Sequence, residues 1–502
     1  MEKLNAAIAL EKQLTTQKAL SRPIKVIQFG EGNFLRAFVD WTIQQLNNHD
    51  LFDGNVAIVQ PLPQGRVKDL EAQDRLYTVV LEGLLGGKEI RSRELIDSVG
   101  KTVAVYDDWE GFLALADNPE ARVIVSNTTE AGIALDDSDT VTSTPPKSYP
   151  AKLAHLLKRR YDKHLPGFLI IPCELIANNG VALKHALVQT AKRFGWGDDF
   201  VAWLDEENTF VSTLVDRIVP GYPRDDAEAL WNEVGYEDDN LVKAEPFYLW
   251  VVAGDEAAQR TVQEVLPAQK LGINLVTTDA VQPYRERKVY LLNGPHTTLA
   301  QVARLSGFRT VGSAMKDPVM RAFIKNEMQE EIIPVLSLPK EELETFAHQV
   351  VERFDNPFIE HSLDSIGLNS ASKFAVRLLP LLKANAEQRG VLPPRIVLAL
   401  ASLLYIYGGF SSRAASSGEA SLPEVAVQDS AEVAAQFAKA AGNESFVHDA
   451  LAFDSVWGSD LNEIAGLQEA VEADFQEMRS HGIQALVERL AGPEGKSQRE
   501  EE

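Results

Sequence analysis

The run Ile24-Lys-Val-Ile-Gln-Phe29, followed at once by Gly30-Glu-Gly32 and then by apolar residues at helical spacing through Leu46, constrains the fold more than any other stretch. Ile24, Val26, Ile27 and Phe29 make the first part a buried strand. A strand, a glycine turn and a helix in immediate succession open a parallel α/β sheet, because the helix must cross back over the sheet before the next strand. Backbone at the glycines can approach an anion, and the start of the helix offers N–H groups to it, so the unit suits the pyrophosphate of a dinucleotide. Leu35 stands where a third glycine is usual, and a Gly-x-Gly pair alone also suits a plain tight turn.

The following segments extend the sheet. Val56–Gln60 reads as its second strand. The acid that would bind a ribose at that strand's end is absent; Gln60 stands there, with Arg66 nearby, so the residues leave NAD and NADP both open. Tyr77–Leu81 and the segment from Ile90 form an inserted strand pair bounded by Gly83 to Gly87. Val123–Ser126 and Phe168–Pro172 are further core strands. Their ends deliver Asn127 to Gly132 and Cys173-Glu174 with Asn178-Asn179-Gly180 to the carboxyl edge, where ligands of open parallel sheets sit. Cys173 reads as a small buried hydrophobe. Asp216-Arg217, set among Leu214, Val215, Ile218 and Val219, is a buried pair in which Arg217 holds structure.

After about Ala280 the texture changes. Helical periodicity replaces strand alternation, in segments such as Lys340–Phe354 and Pro394–Tyr407. The expected fold is therefore α/β: a Rossmann-like dinucleotide-binding domain over residues 1–279 and a mostly α-helical domain over 280–502.

At the start of that second part lie Lys288, Asn293 and His296, spaced among Val289, Leu291 and Leu292. At about 100° per residue a helix sets Lys288 and His296 on adjoining faces, with Asn293 flanking His296. A lysine held against apolar surface has its ammonium form disfavoured and can exchange a proton near neutral pH. An asparagine amide can donate to a developing alkoxide, and a histidine can hold a substrate oxygen or orient the lysine. The same spacing also fits a surface lysine, an N-cap asparagine and a helix-start histidine. Pro295 has no N–H, and its ring crowds the carbonyl of Leu291. A break or kink at Asn293-Gly294-Pro295 is predicted, with Pro295 in the first turn of a new helix.

Lys288-x4-Asn293-x2-His296, Gly30-Glu-Gly-Asn-Phe-Leu-Arg36, Cys173-Glu-Leu-Ile-Ala-Asn-Asn-Gly180 and Phe210 to Pro220 resemble, in this order, the motifs of the mannitol dehydrogenase family of long-chain polyol dehydrogenases. The resemblance runs from about Pro23 to Phe410. It implies a reversible NAD-dependent hydride transfer with Lys288 as acid and base, Asn293 and Asn179 on the substrate oxygen, and His296 orienting. It implies that Ile27, Gln28, Phe29, Gly30, Glu31, Gly32, Asn33, Phe34, Leu35, Arg36, Ala37 and Phe38 wrap the cofactor, and that Asp216 lies near the substrate. Ala244–Trp250 resembles the family's strand before the domain junction, and its Glu245 either faces the site or holds structure. Cys173-Glu174-Leu175 replaces the Cys-Asp-Asn frequent in the family. The Leu368 to Lys373 stretch departs from the polyol pattern too, with Lys373 and Arg377 on one helix face. Together with Gln28 to Trp41, Tyr284 to Lys288 and Asn356 to His361, these departures resemble the family's uronate-reducing branch, so a hexuronate is the implied substrate. A fructuronate reductase or a mannitol-type polyol dehydrogenase of the same family, or a nucleotide-binding protein without turnover, are the alternatives.

The net charge of −24 would repel nucleic acid, and an anionic substrate would need a local basic cluster. The single cysteine rules out a disulfide within the chain and a multi-cysteine metal site, so no metal is expected. No apolar run reaches the ~20 residues of a membrane span, and Met1 to Leu20 does not read as a secretory signal. A cytoplasmic protein is expected; the sequence leaves its oligomeric state open.

Overall fold

The computed structural model describes residues 1–129, 132–410 and 422–499; Glu130 and Ala131, inside the loop read above as a ligand edge, lie outside them. The chain divides into two compact units, residues 1–83 with 89–282 and residues 84–88 with 283–502.

Among the described residues the first unit is built on twelve strands: β1 Ile24–Phe29, β2 Asn55–Gln60, β3 Tyr77–Leu85, β4 Lys88–Ile96, β5 Val99–Ala104, β6 Val123–Ser126, β7 Leu169–Pro172, β8 Thr209–Phe210, β9 Ser212–Asp216, β10 Val242–Ala244, β11 Leu249–Ala253 and β12 Leu275–Thr278. The main sheet has the order β5-β2-β1-β6-β7-β8. All its pairings are parallel. The order reverses at β1, so the crevice at the carboxyl ends of β1 and β6 is the topological switch point, where such sheets bind ligands. Both faces are packed: Val26, Val56, Ile58, Val123 and Ile171 face one core, and Ile27, Phe29, Ala57, Val59 and Ile170 the other. That is why these strands read as nearly continuous apolar runs.

β3 and β4 form the expected inserted hairpin, turned at Gly86 and Gly87, both with positive φ (60° and 72°). The segment read as one strand over Ala244–Trp250 is instead two strands in two sheets. β10 pairs with β3, and β11 lies between β9 and β12. The switch occurs at Glu245-Pro246, where the Glu245 N–H donates to the Ile218 carbonyl (3.0 Å) and its carboxylate accepts from the Ile218 N–H (2.6 Å). Pro246 has no N–H with which to continue a ladder.

The second unit is helical. Pro394–Tyr407 starts on a proline at its first turn and has every residue from Arg395 to Tyr407 buried. A helix apolar on all sides must be a central one. Lys340–Phe354 carries Glu341 and Glu342 in its first turn and Arg353 in its last, signs that match the helix dipole. No helix among the described residues is long and apolar enough to cross a membrane.

Candidate active site

A cavity of about 480 Å³ opens at the carboxyl ends of β1, β2 and β6. Its walls include Gly30, Glu31 and Gly32, then Pro61 and Leu62 after β2, Asn127 to Thr129 after β6, and Lys147 to Tyr149 with Lys152 on the opposite side. Gly30 has φ +119°, and a Cβ there would come within 3.1 Å of the Asn127 carbonyl oxygen, so only glycine fits. Gly32 has φ −66° and nothing within 4 Å of a would-be Cβ; its surroundings are open. The first helical bond runs from the Arg36 N–H to the Gly32 carbonyl, so the N–H groups of Asn33, Phe34 and Leu35 have no acceptor within the helix. An open glycine lip and three such N–H groups fit a diphosphate. Burial raises the Glu31 carboxyl above the usual range, against the pull of neighbouring N–H groups, Arg36 and Arg66.

Of the residues Ile27 to Phe38, only Gly30, Glu31 and Gly32 line this cavity. Ile27 and Phe29 belong to one core, and Leu35, Ala37 and Phe38 to the other. Asn33 and Phe34 are half-buried; Asn33 Oδ1 accepts from Arg36, and Phe34 stacks on Phe38 (4.9 Å). Arg36 is fully buried, donating to the Asn240 carbonyl (2.6 Å) and lying over the Tyr77 ring (4.9 Å). Gln28 donates to the Gly30 carbonyl (3.2 Å) and stands 3.4 Å from the Asp40 carboxylate, so it holds the loop from behind. At the end of β2, Gln60 turns inward: its amide donates to the Leu62 carbonyl and accepts from the Val67 N–H. Arg66 is engaged with Asp69, Asn240 and the Asp239 carbonyl.

Asn179 is turned into the fold. It is fully buried, and its amide N–H groups face the carbonyls of Pro172 and Glu174 (both 3.0 Å) and of Thr213 (3.3 Å). Its oxygen accepts from the N–H groups of Gly180 (2.9 Å) and Thr213 (2.8 Å). Through these bonds the side chain cross-links β7 and β9. Its neighbour Asn178, with φ +49°, is exposed and lines a second cavity. Glu174, also buried, binds the loop after β6 through Ser126 and Thr128. Arg217 is structural, as expected, donating to the carbonyls of Glu245 (2.9 Å) and Ala37 (2.7 Å) and lying over Trp41. Asp216 is buried at the end of β9.

In the second unit the irregularity predicted at Asn293-Gly294-Pro295 is a π-helical turn and not an interruption of the helix. Gln282–Lys288 is α-helical, Val289–Asn293 is a π-helical turn, and Gly294–Leu305 is α-helical again. Lys288, Asn293 and Gly294 all keep right-handed helical angles, and the Gly294 N–H donates five residues back, to the Val289 carbonyl. Pro295 does fall in the first turn of the new α-segment. The wide turn removes the conflict that motivated a break. With five-residue closure, the carbonyl four residues before the proline is no longer its steric partner. It also replaces the simple helical wheel. Residues five apart diverge on an α-helix but stack in a turn closed by bonds to the fifth residue. Lys288 and Asn293 are five apart, so the π turn brings them nearer to one face than an α-helix would.

His296 is buried, stacked on Phe354 (centroids 4.3 Å) and edge-on to His361 (4.8 Å). His361, kept below the usual histidine value by burial and by Arg353, is a neighbour that spacing could not reveal. Arg377 donates to Thr297 Oγ1 (3.3 Å), next in sequence to His296, so the structure brings it to this helix. Lys373 donates to the Ile366 carbonyl (2.8 Å). Burial lowers both cations, and Arg377 lowers Lys373 further. Arg287 pairs with Glu342 (2.6 Å) over the Phe346 ring and anchors the Lys288 helix.

A parallel sheet of this order, with a glycine lip and a helix N-terminus at its switch point, defines a Rossmann-type domain. Residues 24–264 match the mannitol dehydrogenase Rossmann domain, and residues 280–479 the mannitol dehydrogenase C-terminal domain. The chain belongs to the mannitol dehydrogenase family and is an oxidoreductase acting on CH–OH groups. It is 43% identical over 481 residues to an altronate oxidoreductase of Klebsiella pneumoniae (strain 342), covering 93% of this chain and 97% of that one. It is 42% identical over 488 residues to one of Bacteroides thetaiotaomicron, covering 95% and 99%. Among solved structures it resembles Pseudomonas fluorescens mannitol 2-dehydrogenase in ternary complex with NAD and D-mannitol (TM-score 0.70, 22% identity, 98% of this chain and 100% of that one). It also resembles a D-sorbitol dehydrogenase (TM-score 0.80, 21% identity, 97% and 100%).

Proposed function

We propose that this chain is an NAD-dependent keto-uronate reductase of the cytoplasm, interconverting D-tagaturonate and D-altronate in hexuronate breakdown. The observation that carries the reading is end-to-end similarity to proteins named altronate oxidoreductase. The glycine loop and the Lys288–His296 run both fall within the matched family domains. When bound, the dinucleotide supplies hydride to the ketone carbon and takes it back in the reverse direction. Gly30 to Leu35 would hold its diphosphate. Lys288 gives a proton to the ketone oxygen as the alcohol forms, and removes it during oxidation. The Asn293 amide, one π turn further on, donates to that oxygen while it is negative. His296, wedged between Phe354 and His361, fixes the adjacent substrate hydroxyl and the lysine. Arg377, with Lys373, supplies the local positive charge that a uronate carboxylate needs against a chain of net charge −24. Asp216 remains a candidate for a substrate hydroxyl.

The test is Lys288→Ala. Turnover should fall by roughly 10²–10⁴, the range for loss of a general acid, with NADH affinity near that of the wild type. Near-normal turnover would remove Lys288 from the mechanism.

A further inference from the structure

The wall of the first-unit cavity contains a cation that neither the sequence reading nor the mechanism uses. Lys152 lies in the helix Tyr149–Asp162, is 1% exposed and lines the cavity. Helical side chains lean toward the helix N-terminus. Here that lean carries the ammonium back to the Lys147 carbonyl (2.5 Å) and over the Tyr106 ring (5.1 Å). These are its only hydrogen-bond acceptor and its only ring contact among the described residues, and none of their carboxylates is in ion-pair range of it. The nearest acid influence, Asp139, is spent on the Lys147 and Ser148 N–H groups and the Ser148 hydroxyl. Burial pushes the lysine down to about 8, with Asp139 opposing. Buried cations are normally paired, so an ammonium with spare donors on a cavity wall is a ligand contact waiting for its ligand.

Its place says which part of the ligand. In a sheet of this topology the β1 turn takes the pyrophosphate and the end of β2 faces the adenosine ribose. Tyr106, under the Lys152 ammonium, follows β5, the strand beyond β2. The acid usual at the end of β2 is missing, and Gln60 is turned away. The cavity's other charged walls are Glu31, Asp136 and the exposed Lys147.

We propose that Lys152 is the side chain that binds the ADP half of the dinucleotide, donating to its ribose and phosphate oxygens in place of the missing carboxylate. The inference rests on the cofactor reading above. It is tested with full-length wild type, Lys152→Met and Lys152→Arg, titrated with NADH and separately with ADP-ribose, with thermal midpoints recorded alongside. Lys152→Met should weaken both ligands by the same factor, about 10- to 100-fold, as expected for a lost charged hydrogen bond. Lys152→Arg should restore most of it. If the lysine only props the Lys147 loop, the midpoint of Lys152→Met falls and its ADP-ribose affinity stays at the wild-type value; that result overturns the proposal. Should Lys152→Met not fold, Lys152→Gln is judged by the same two titrations. Wild type that binds neither NADH nor ADP-ribose would overturn the cofactor reading itself.

Discussion

Glu327 offers a quantitative test of the second unit's core. It lies in a π-helical turn, Glu327–Ile332, and is fully buried. Thr298, two residues after His296, donates to one carboxyl oxygen (2.5 Å), and the other has no partner among the described residues. Burial raises its pKa from 4.5 to about 8, helped by Glu331 and opposed by Thr298 and Arg395. The folded value exceeds the unfolded one. Between those limits the native protein therefore holds a proton that the unfolded chain has released, and stability falls as pH rises from 4.5 to 8. From these values the cost is about 2 kcal/mol at pH 6 and about 5 kcal/mol at pH 9. Glu327→Gln keeps an acceptor for Thr298 and cannot ionise. Its advantage over wild type should therefore grow by about 3 kcal/mol from pH 6 to pH 9. For a unit of this size that is roughly 6–12 °C in thermal midpoint, read by differential scanning calorimetry at both pH values. A midpoint difference that stays constant between them would refute the buried, protonated carboxyl.

Three other substitutions separate roles. Asn179→Ala should lower the thermal midpoint by several degrees, the effect of about 2–4 kcal/mol from stranded main-chain groups; loss of turnover at an unchanged midpoint would return Asn179 to the substrate. Gly32→Ala should keep the wild-type midpoint, because nothing crowds the position, yet weaken NADH at least about tenfold by standing where the diphosphate lies; unchanged affinity would place the diphosphate elsewhere. Pro295→Ala should keep or raise the midpoint and cut kcat, since the helix can then close as α and turn Lys288 further from Asn293. Unchanged kcat would show that the π turn does not serve the chemistry.

How far these features could be read from sequence follows from their physics. The sheet was legible because strands buried on both faces leave apolar runs, and Gly30 because a positive φ has few other solutions. The π turn was not, since reading by period assumes one helical pitch; Pro295 signalled a conflict without saying how it is resolved. The main-chain bonds of Asn179 were not legible, because an Asn-Gly pair after a strand looks the same whether its amide faces the crevice or, as here, the Pro172 and Thr213 main chain. Arg36 sits in a motif yet is consumed by Asn240 and Tyr77, partners far away in sequence. Lys152 was invisible, because a lysine on an amphipathic helix reads as a solvated one. The split of Ala244–Trp250 depended on Ile218, which only the fold brings beside Glu245.

The most direct test of the central claim is a substrate panel with the purified protein, in which oxidation of NADH and of NADPH is followed by absorbance with D-tagaturonate, D-fructuronate, D-fructose and other ketoses. The account predicts rapid NADH oxidation with D-tagaturonate, slower reaction with the other carbonyls, and a preference for NADH over NADPH. NADH binding without reduction of any carbonyl in the panel, or a clear preference for a neutral ketose, would contradict it.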